Sequence, residues 1–139
     1  MIEILDLNHV SLVVRDLDAA RHFYCDILGM EEVPRPPAAQ YRIAWVRKGS
    51  AELHLIHQSE SPQESGDAPA EHPPGRDVSL VRHVALAVRD ADNVVQSLNA
   101  HHIPIILGPR PRGDGAIQTF CFDPDGHLVE LHTLPTSSE

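Results

Sequence analysis

Residues 8–16 read NHVSLVVRD, and the same pattern returns 74 positions later at residues 82–90 as RHVALAVRD. Each copy carries a histidine near its start, His9 or His83, and ends in Arg-Asp ahead of a helix-like stretch. Internal repetition of this kind predicts a duplicated structural unit. Because the histidine stands at the same place in both copies, we expect a site where the two halves meet.

Both copies alternate in the manner of a β-strand. In the first copy, Val10, Leu12 and Val14 share one face, and the histidine shares the other face with smaller side chains. Since successive side chains of a strand point to opposite faces, the bulky face is predicted to pack on a helix. The small face leaves room beside the histidine, which indicates a strand that lines a cavity.

Each copy is followed by a helix and then by further strands. Apolar residues recur at helical spacing in both places, and Asp16 or Asp18 is predicted to cap the first helix. Strand-forming runs follow at 41–46, 51–57, 118–122 and 128–133. Each half is therefore a predicted β-α-β-β-β module, and the fold class is α+β with two tandem modules.

The repeat is predicted to span residues 5–57 and 80–134 of a single domain, residues 1–139. The segment between the halves, residues 58–79, is rich in proline, serine and acidic residues. Loops of this length are usually functional or disordered. We therefore expect a linker or a mobile loop there.

The composition argues against two classes of partner. The formal net charge is −9 at pH 7, whereas nucleic acids and anionic membrane surfaces require a basic face. No apolar run is long enough to span a bilayer. Cys25 and Cys121 lack the spacing of metal or redox motifs, so we expect reduced, buried thiols in a cytoplasmic protein. A small molecule is the expected partner.

Four positions are candidate metal ligands. His9 and His83 lie on equivalent strands, and Glu130 is an inward-facing charge on an otherwise apolar final strand. In the first half, Glu52 and His54 share a face of the corresponding strand. Matching the two Glu-Leu-His triplets pairs Glu52 with Glu130 at an offset of 78, whereas His54 pairs with Glu130 at an offset of 76. The repeat alone leaves both alignments open.

Imidazoles and carboxylates that converge from separate strands form an effective site for a divalent metal ion. Such ligands suit Zn, Ni, Fe and Mn, so they do not select one metal. An open coordination position would allow the ion to polarise a substrate oxygen. The basic side chains Arg42, Arg110 and Arg112 are interpreted as solvated surface charge, the alternative being contacts to an anionic substrate.

Three stretches together resemble the vicinal oxygen chelate superfamily, which includes glyoxalase I, fosfomycin- and bleomycin-resistance proteins, and extradiol dioxygenases. They are residues 7–16 with Phe23-Tyr24 and Leu28-Gly29-Met30, residues 82–88, and residues 122–131. The last stretch is the most specific, because Asp-Pro-Asp-Gly is followed four residues later by Glu130. The resemblance extends from Leu7 to Leu134.

The resemblance implies paired βαβββ modules whose strands form a curved mixed sheet around a cavity that holds one divalent metal ion. It implies His9, His83 and Glu130 as ligands. The remaining position falls on His54, since residues 53–56 resemble glyoxalase-like proteins there, with Glu52 as the fallback. A histidine at that position departs from glyoxalase I, where both catalytic carboxylates bind the metal. The resemblance also implies a homodimer.

Three functions follow as expectations. The first is a glyoxalase-like lyase or isomerase that stabilises an enediolate-like anion of a small oxygen-chelating substrate, with Glu130 as proton carrier, or Glu52 if it is not a ligand. The second is a ring-cleaving, non-haem iron dioxygenase that uses His83, one further imidazole and Glu130. The third is a protein that binds an antibiotic without catalysis, which convergent ligands disfavour because their desolvation is costly.

Overall fold

The structure, a computed structural model, describes residues 1–37, 42–58 and 77–136. The chain forms two compact units, residues 1–61 and 62–139. Each unit contains one four-stranded mixed sheet, which confirms the predicted α+β class with two tandem modules. Most of the predicted loop 58–79, and the start of the strand predicted from residue 41, lie outside the described residues.

The first unit has the strand order β1-β4-β3-β2, with β1 parallel to β4 and the other pairs antiparallel. Helix α1 packs on β3 and β4. The elements are β1 (Val10–Val14), α1 (Leu17–Arg21), which continues as a π-helical turn over His22–Ile27, β2 (Glu31–Val33), β3 (Ile43–Lys48) and β4 (Ala51–His57).

The second unit repeats this plan with the order β5-β8-β7-β6, and β5 is parallel to β8. Helix α2 packs on β7 and β8. The elements are a short 3-10 turn (Val78–Leu80), β5 (Val84–Val88), α2 (Ala91–Ala100), β6 (Leu107–Pro111), β7 (Ile117–Phe122) and β8 (Leu128–Thr133). A local core of Val78, Phe120 and Leu128 lies beneath the turn.

The repeated Arg-Asp pairs are explained by helix capping. The Asp16 carboxylate accepts hydrogen bonds from the backbone N–H groups of Asp18 and Ala19, at 3.0 and 3.1 Å. Asp90 accepts equivalent bonds at the start of α2, at 2.9 and 3.2 Å. These bonds satisfy N–H groups that have no partner within the helix, so each strand leads directly into its helix.

Two local expectations are corrected. The first helix widens into a π-helical turn instead of continuing as an α-helix, and its successive side chains Phe23 and Tyr24 are both buried. Burial of both residues agrees with the predicted apolar stripe, which a π-helical turn and an α-helix share over so short a stretch. Cys121 is buried as predicted, but Cys25 is only half-buried.

Membrane insertion through a helix finds no support in the part of the chain that the structure describes. None of its helices combines the length and the apolar character that crossing a bilayer requires.

Candidate metal centre

In the first unit, His9, Glu52 and His54 form a cluster of potential metal ligands. One ligand atom from each residue lies within 4.8 Å of the others. Glu52 and His54 are two residues apart in β4 and therefore share a face, and His9 immediately precedes β1. Because β1 pairs in parallel with β4, with Ser11 opposite His54, the start of β1 brings His9 to this cluster.

Aromatic stacking fixes the ring of His54. The His9 ring stacks on the His54 ring at a centroid distance of 3.8 Å. The Trp45 ring also stacks on the His54 ring, at 4.1 Å and with an interplanar angle of 1°. Trp45 lies directly opposite His54 in the β3–β4 register. The His54 ring is therefore held in its plane by the His9 ring, which lies just before β1, and by the Trp45 ring of β3.

The Glu52 carboxylate is paired with the guanidinium of Arg47 in its own unit. Its Oε1 accepts a hydrogen bond from Arg47 Nε at 2.8 Å, and its Oε2 lies 3.0 Å from His54 Nε2. The Arg47 guanidinium, followed by the His54 hydrogen bond, holds the pKa of Glu52 below its usual value. Glu52 is consequently anionic at neutral pH, and its charge is shared with an arginine.

In the second unit, His83 and Glu130 face each other. His83 Nε2 lies 3.1 Å from Glu130 Oε2, and His83 Nδ1 lies 2.7 Å from the carbonyl oxygen of Val81. A carbonyl oxygen only accepts, so Nδ1 carries a proton, and Nε2 faces the carboxylate either as a second N–H donor or as a lone pair beside a bound cation. Because the carboxylate only accepts, a contact at this distance requires a proton or another cation between the two groups. The donor set therefore fits either a proton or a metal ion.

The Glu130 carboxylate has a second polar partner that the sequence analysis did not identify. Gln118 Nε2 donates a hydrogen bond of 2.8 Å to Glu130 Oε1, and Arg110 Nε donates one of 2.9 Å to Gln118 Oε1. Glu130 is only 6% exposed and Gln118 7%. An inward-facing polar residue in the apolar strand β7 was the available signal. Arg110 is correspondingly not the solvated surface charge that we expected.

The strand registers compare the two halves residue by residue. Ser11 and Ala85 are matched by the sequence repeat; Ser11 is opposite His54, and Ala85 is opposite Glu130. His54 and Glu130 therefore occupy equivalent positions in their units, which corresponds to the offset of 76. Glu52 is equivalent to Leu128.

The structure thus brings the predicted residues together in two groups, one within each unit. His9 and His54 lie together in the first, accompanied by Glu52. His83 and Glu130 are in contact in the second, where the edge of the Phe120 ring lies against His83 at a centroid distance of 5.4 Å.

Comparison with known proteins gives consistent results. The chain matches the family model described as the Glyoxalase/Bleomycin resistance protein/Dioxygenase superfamily over residues 6–131. It is 30% identical to a "probable lactoylglutathione lyase" of Synechocystis sp., over 96% of this chain and 97% of that protein. It is 27% identical to the metallothiol transferase FosB of Staphylococcus epidermidis, over 94% of this chain and 83% of that protein.

The fold is also shared with solved structures. The fosfomycin resistance protein FosX of Listeria monocytogenes superposes with a TM-score of 0.71 at 21% identity. The match covers 96% of this chain and 94% of that one. At this level of identity the likeness concerns the fold alone.

Proposed function

This chain belongs to the Glyoxalase/Bleomycin resistance protein/Dioxygenase superfamily, and from that premise we propose that it is a divalent-metal-dependent enzyme of the glyoxalase type. Members of the superfamily are mostly metal-dependent enzymes, among them lyases and transferases. The proposed reaction is a lyase or isomerase step on a small oxygen-chelating substrate, and the proposed cofactor is one ion of Zn, Ni, Fe or Mn.

The observation that carries the proposal is the opposition of His83 Nε2 and Glu130 Oε2. A hydrogen bond to Val81 fixes the imidazole, and one from Gln118 fixes the carboxylate, so both groups are oriented before any ligand arrives. Imidazole nitrogen held through its other N–H, beside a hydrogen-bonded carboxylate, is the usual form of a metal-ligand pair.

The proposed ligands are His9, His54, His83 and Glu130. The choice of His54 over Glu52 is supported by two observations. His54 occupies the position in its unit that Glu130 occupies in the other. In contrast, Glu52 is paired with Arg47, and a metal ion would have to compete with that guanidinium for the carboxylate.

When bound, a divalent ion supplies positive charge that polarises a substrate carbonyl and stabilises an adjacent anion. The protein supplies the proton carrier, to which we assign Glu130. Its Oε1 is held by Gln118, so Oε2 on the His83 side would serve in turn as the ligand atom and as the acceptor of a proton from the carbon next to the carbonyl. Glu52 is the poorer base, because Arg47 lowers its pKa.

The first substrates to assay are adducts of 2-oxoaldehydes with thiols, because a relative that covers nearly the whole chain is described as a lactoylglutathione lyase. A homodimer is also proposed, and light scattering during size-exclusion chromatography would test it. The expected mass is twice the 15.3 kDa of the chain.

Metal content per chain, measured by elemental mass spectrometry, tests the metal centre. We expect one ion per chain in the wild type, and loss of that ion in His83→Ala and His9→Ala. The matched control is His101→Ala, since His101 is an exposed histidine at the end of α2. If the wild type binds none of the four ions after incubation with each, the proposed function is wrong.

A further inference from the structure

We infer that Gln118 is a positioning residue, whose amide orients the Glu130 carboxylate for metal binding, and that Arg110 sets the orientation of this amide. The inference rests on the proposed function and deepens it. Gln118 itself is not proposed as a ligand. Its role is to act on the ion through Glu130.

The direction of the hydrogen bonds is determined by Arg110. A guanidinium has donors only, so the Gln118 atom that faces Arg110 Nε at 2.9 Å must be the amide oxygen. The amide nitrogen then faces Glu130 Oε1 at 2.8 Å. Rotation of the amide by half a turn would place two donors against each other and an oxygen against a carboxylate. Arg110 therefore excludes the wrong orientation.

The two consecutive hydrogen bonds from Arg110 to Gln118 and from Gln118 to Glu130, here called the relay, orient the carboxylate without neutralising it. Gln118 is uncharged, so the anionic charge of Glu130 remains available to a cation. Direct contact with an arginine would have the opposite effect, as Arg47 does with Glu52 in the first unit. Placing the guanidinium one residue further away keeps its geometric effect and weakens its competition with a metal ion.

Both sides of the His83–Glu130 pair are supported by one short segment, residues 77–81. The Val81 carbonyl holds the His83 ring at 2.7 Å. Ser79 Oγ accepts a hydrogen bond of 3.0 Å from the Arg110 guanidinium, and Asp77 lies 3.3 Å from the same nitrogen. The same segment therefore positions the His83 imidazole directly and the Glu130 carboxylate indirectly, through Arg110 and Gln118.

The device is particular to the second unit. Trp45 is opposite His54 and Phe120 is opposite Glu130, so Gln118 in β7 corresponds to Ile43 in β3. An isoleucine offers no hydrogen bond. A polar residue at this position is therefore not required by the strand plan, which supports a role connected to Glu130.

Metal affinity, measured by competition with a chromophoric chelator, tests the inference. Gln118→Met keeps the length of the side chain and removes both hydrogen bonds of the amide. We expect the dissociation constant of the metal ion to rise about 10- to 100-fold, as for other groups that orient a metal ligand. The matched control is Thr119→Val, a buried neighbour in β7 on the opposite face of the sheet. It is expected to alter thermal stability and leave the affinity unchanged.

A double-mutant cycle separates the relay from general effects on folding. Arg110→Met alone should raise the dissociation constant roughly three- to tenfold, the effect of losing one hydrogen bond. In the Gln118→Met background the same change should have no further effect. Because the Arg110 side chain is 35% exposed, this variant remains informative even if Gln118→Met does not fold.

The possible results separate the role of Gln118 and Arg110 from the existence of the metal centre. Wild-type protein that binds the ion, with unchanged affinity in Gln118→Met or in Arg110→Met, overturns the inference and leaves the proposed metal centre in place. Additive effects of the two substitutions overturn the assignment of Arg110. Wild-type protein that binds no ion overturns the proposed function and, with it, the role of Gln118.

Discussion

The two units build their site residues on the same strand plan and hold them by different interactions. In the first unit, aromatic faces hold His54, and the nearby carboxylate of Glu52 is paired with an arginine. In the second, hydrogen bonds hold His83 and Glu130, and the partner that holds the Glu130 carboxylate is the uncharged amide of Gln118. Duplication of a backbone therefore does not duplicate its electrostatics.

This difference assigns separate tasks to the two groups. The first unit offers imidazole nitrogens, whereas the second offers an imidazole nitrogen and a carboxylate oxygen that is buried and oriented. A divalent cation gains most from the anionic ligand, particularly where water is excluded. The following predictions test this comparison through matched residues of the two units, beginning with the largest expected effect.

Removing the charge of Glu130 should matter far more than removing that of Glu52. We expect Glu130→Gln to weaken metal binding by roughly 100-fold or more, and Glu52→Gln by about tenfold at most, since Glu52 acts only on neighbouring groups. Chelator competition measures both constants, and circular dichroism checks that both variants fold. Equal losses of affinity would show that Glu52 is itself a ligand and would contradict the different roles assigned to the two carboxylates.

The aromatic residues opposite the two sites should differ in their contribution to stability. Phe120 is fully buried, so Phe120→Ala should lower the free energy of unfolding by about 3–5 kcal/mol. Trp45 is only partly buried, and Trp45→Ala should cost less. Chemical denaturation of the metal-free proteins provides the measurement. A larger loss for Trp45→Ala would place the main packing role in the first unit instead.

The two helix caps should be alike, because here the repeat preserves both residue and geometry. Asp16→Ala and Asp90→Ala should each lower the free energy of unfolding by about 1 kcal/mol, the usual value for loss of a capping side chain. Asparagine at either position should retain most of the stability. Thermal unfolding that shows a strong effect of one substitution and none of the other would contradict this equivalence.

The smallest effect on the fold concerns the thiols. Burial, and then the Asp123 charge, raise the pKa of Cys121 to about 12, and burial also raises the pKa of Cys25. At pH 8 an aromatic disulfide reagent should modify Cys25 slowly and Cys121 only after denaturation, because the thiolate is the reactive form. Cys25→Ser should abolish labelling of the folded protein. Rapid labelling of Cys121 would show that its strand opens readily.

The pKa of Cys121 also predicts a pH dependence of stability. The folded value lies above the unfolded one, so the contribution to stability is complete below the unfolded pKa, about 8.5, and is lost as the pH rises toward about 12. Cys121→Ala should lack this alkaline component in comparisons of unfolding free energy across that range.

Much of the fold could be predicted because it depends on local patterns. Alternation identified β1 and β5, and the Arg-Asp pairs identified the helix starts. The π-helical turn was missed because the pattern of apolar residues does not distinguish it from an α-helix. The choice between the two alignments of Glu130 required the pairing of β1 with β4, which joins residues more than 40 positions apart.

The relay through Gln118 could not be predicted for the same reason. Gln118 reaches Glu130 diagonally across the β7–β8 pair, and Arg110 reaches Ser79 from 31 positions away. Charge and polarity are visible in the sequence, but the partner of each group depends on strand register. Arg110 was therefore interpreted as a solvated charge.

Trp45 is the single tryptophan of the chain, and its indole lies face to face with the His54 ring at 4.1 Å. Such contact makes the emission of the indole sensitive to the charge on the imidazole. The protein consequently carries a built-in optical reporter of its first unit. Titrating a metal ion while recording tryptophan fluorescence would reveal whether His54 senses the ion, without any attached label.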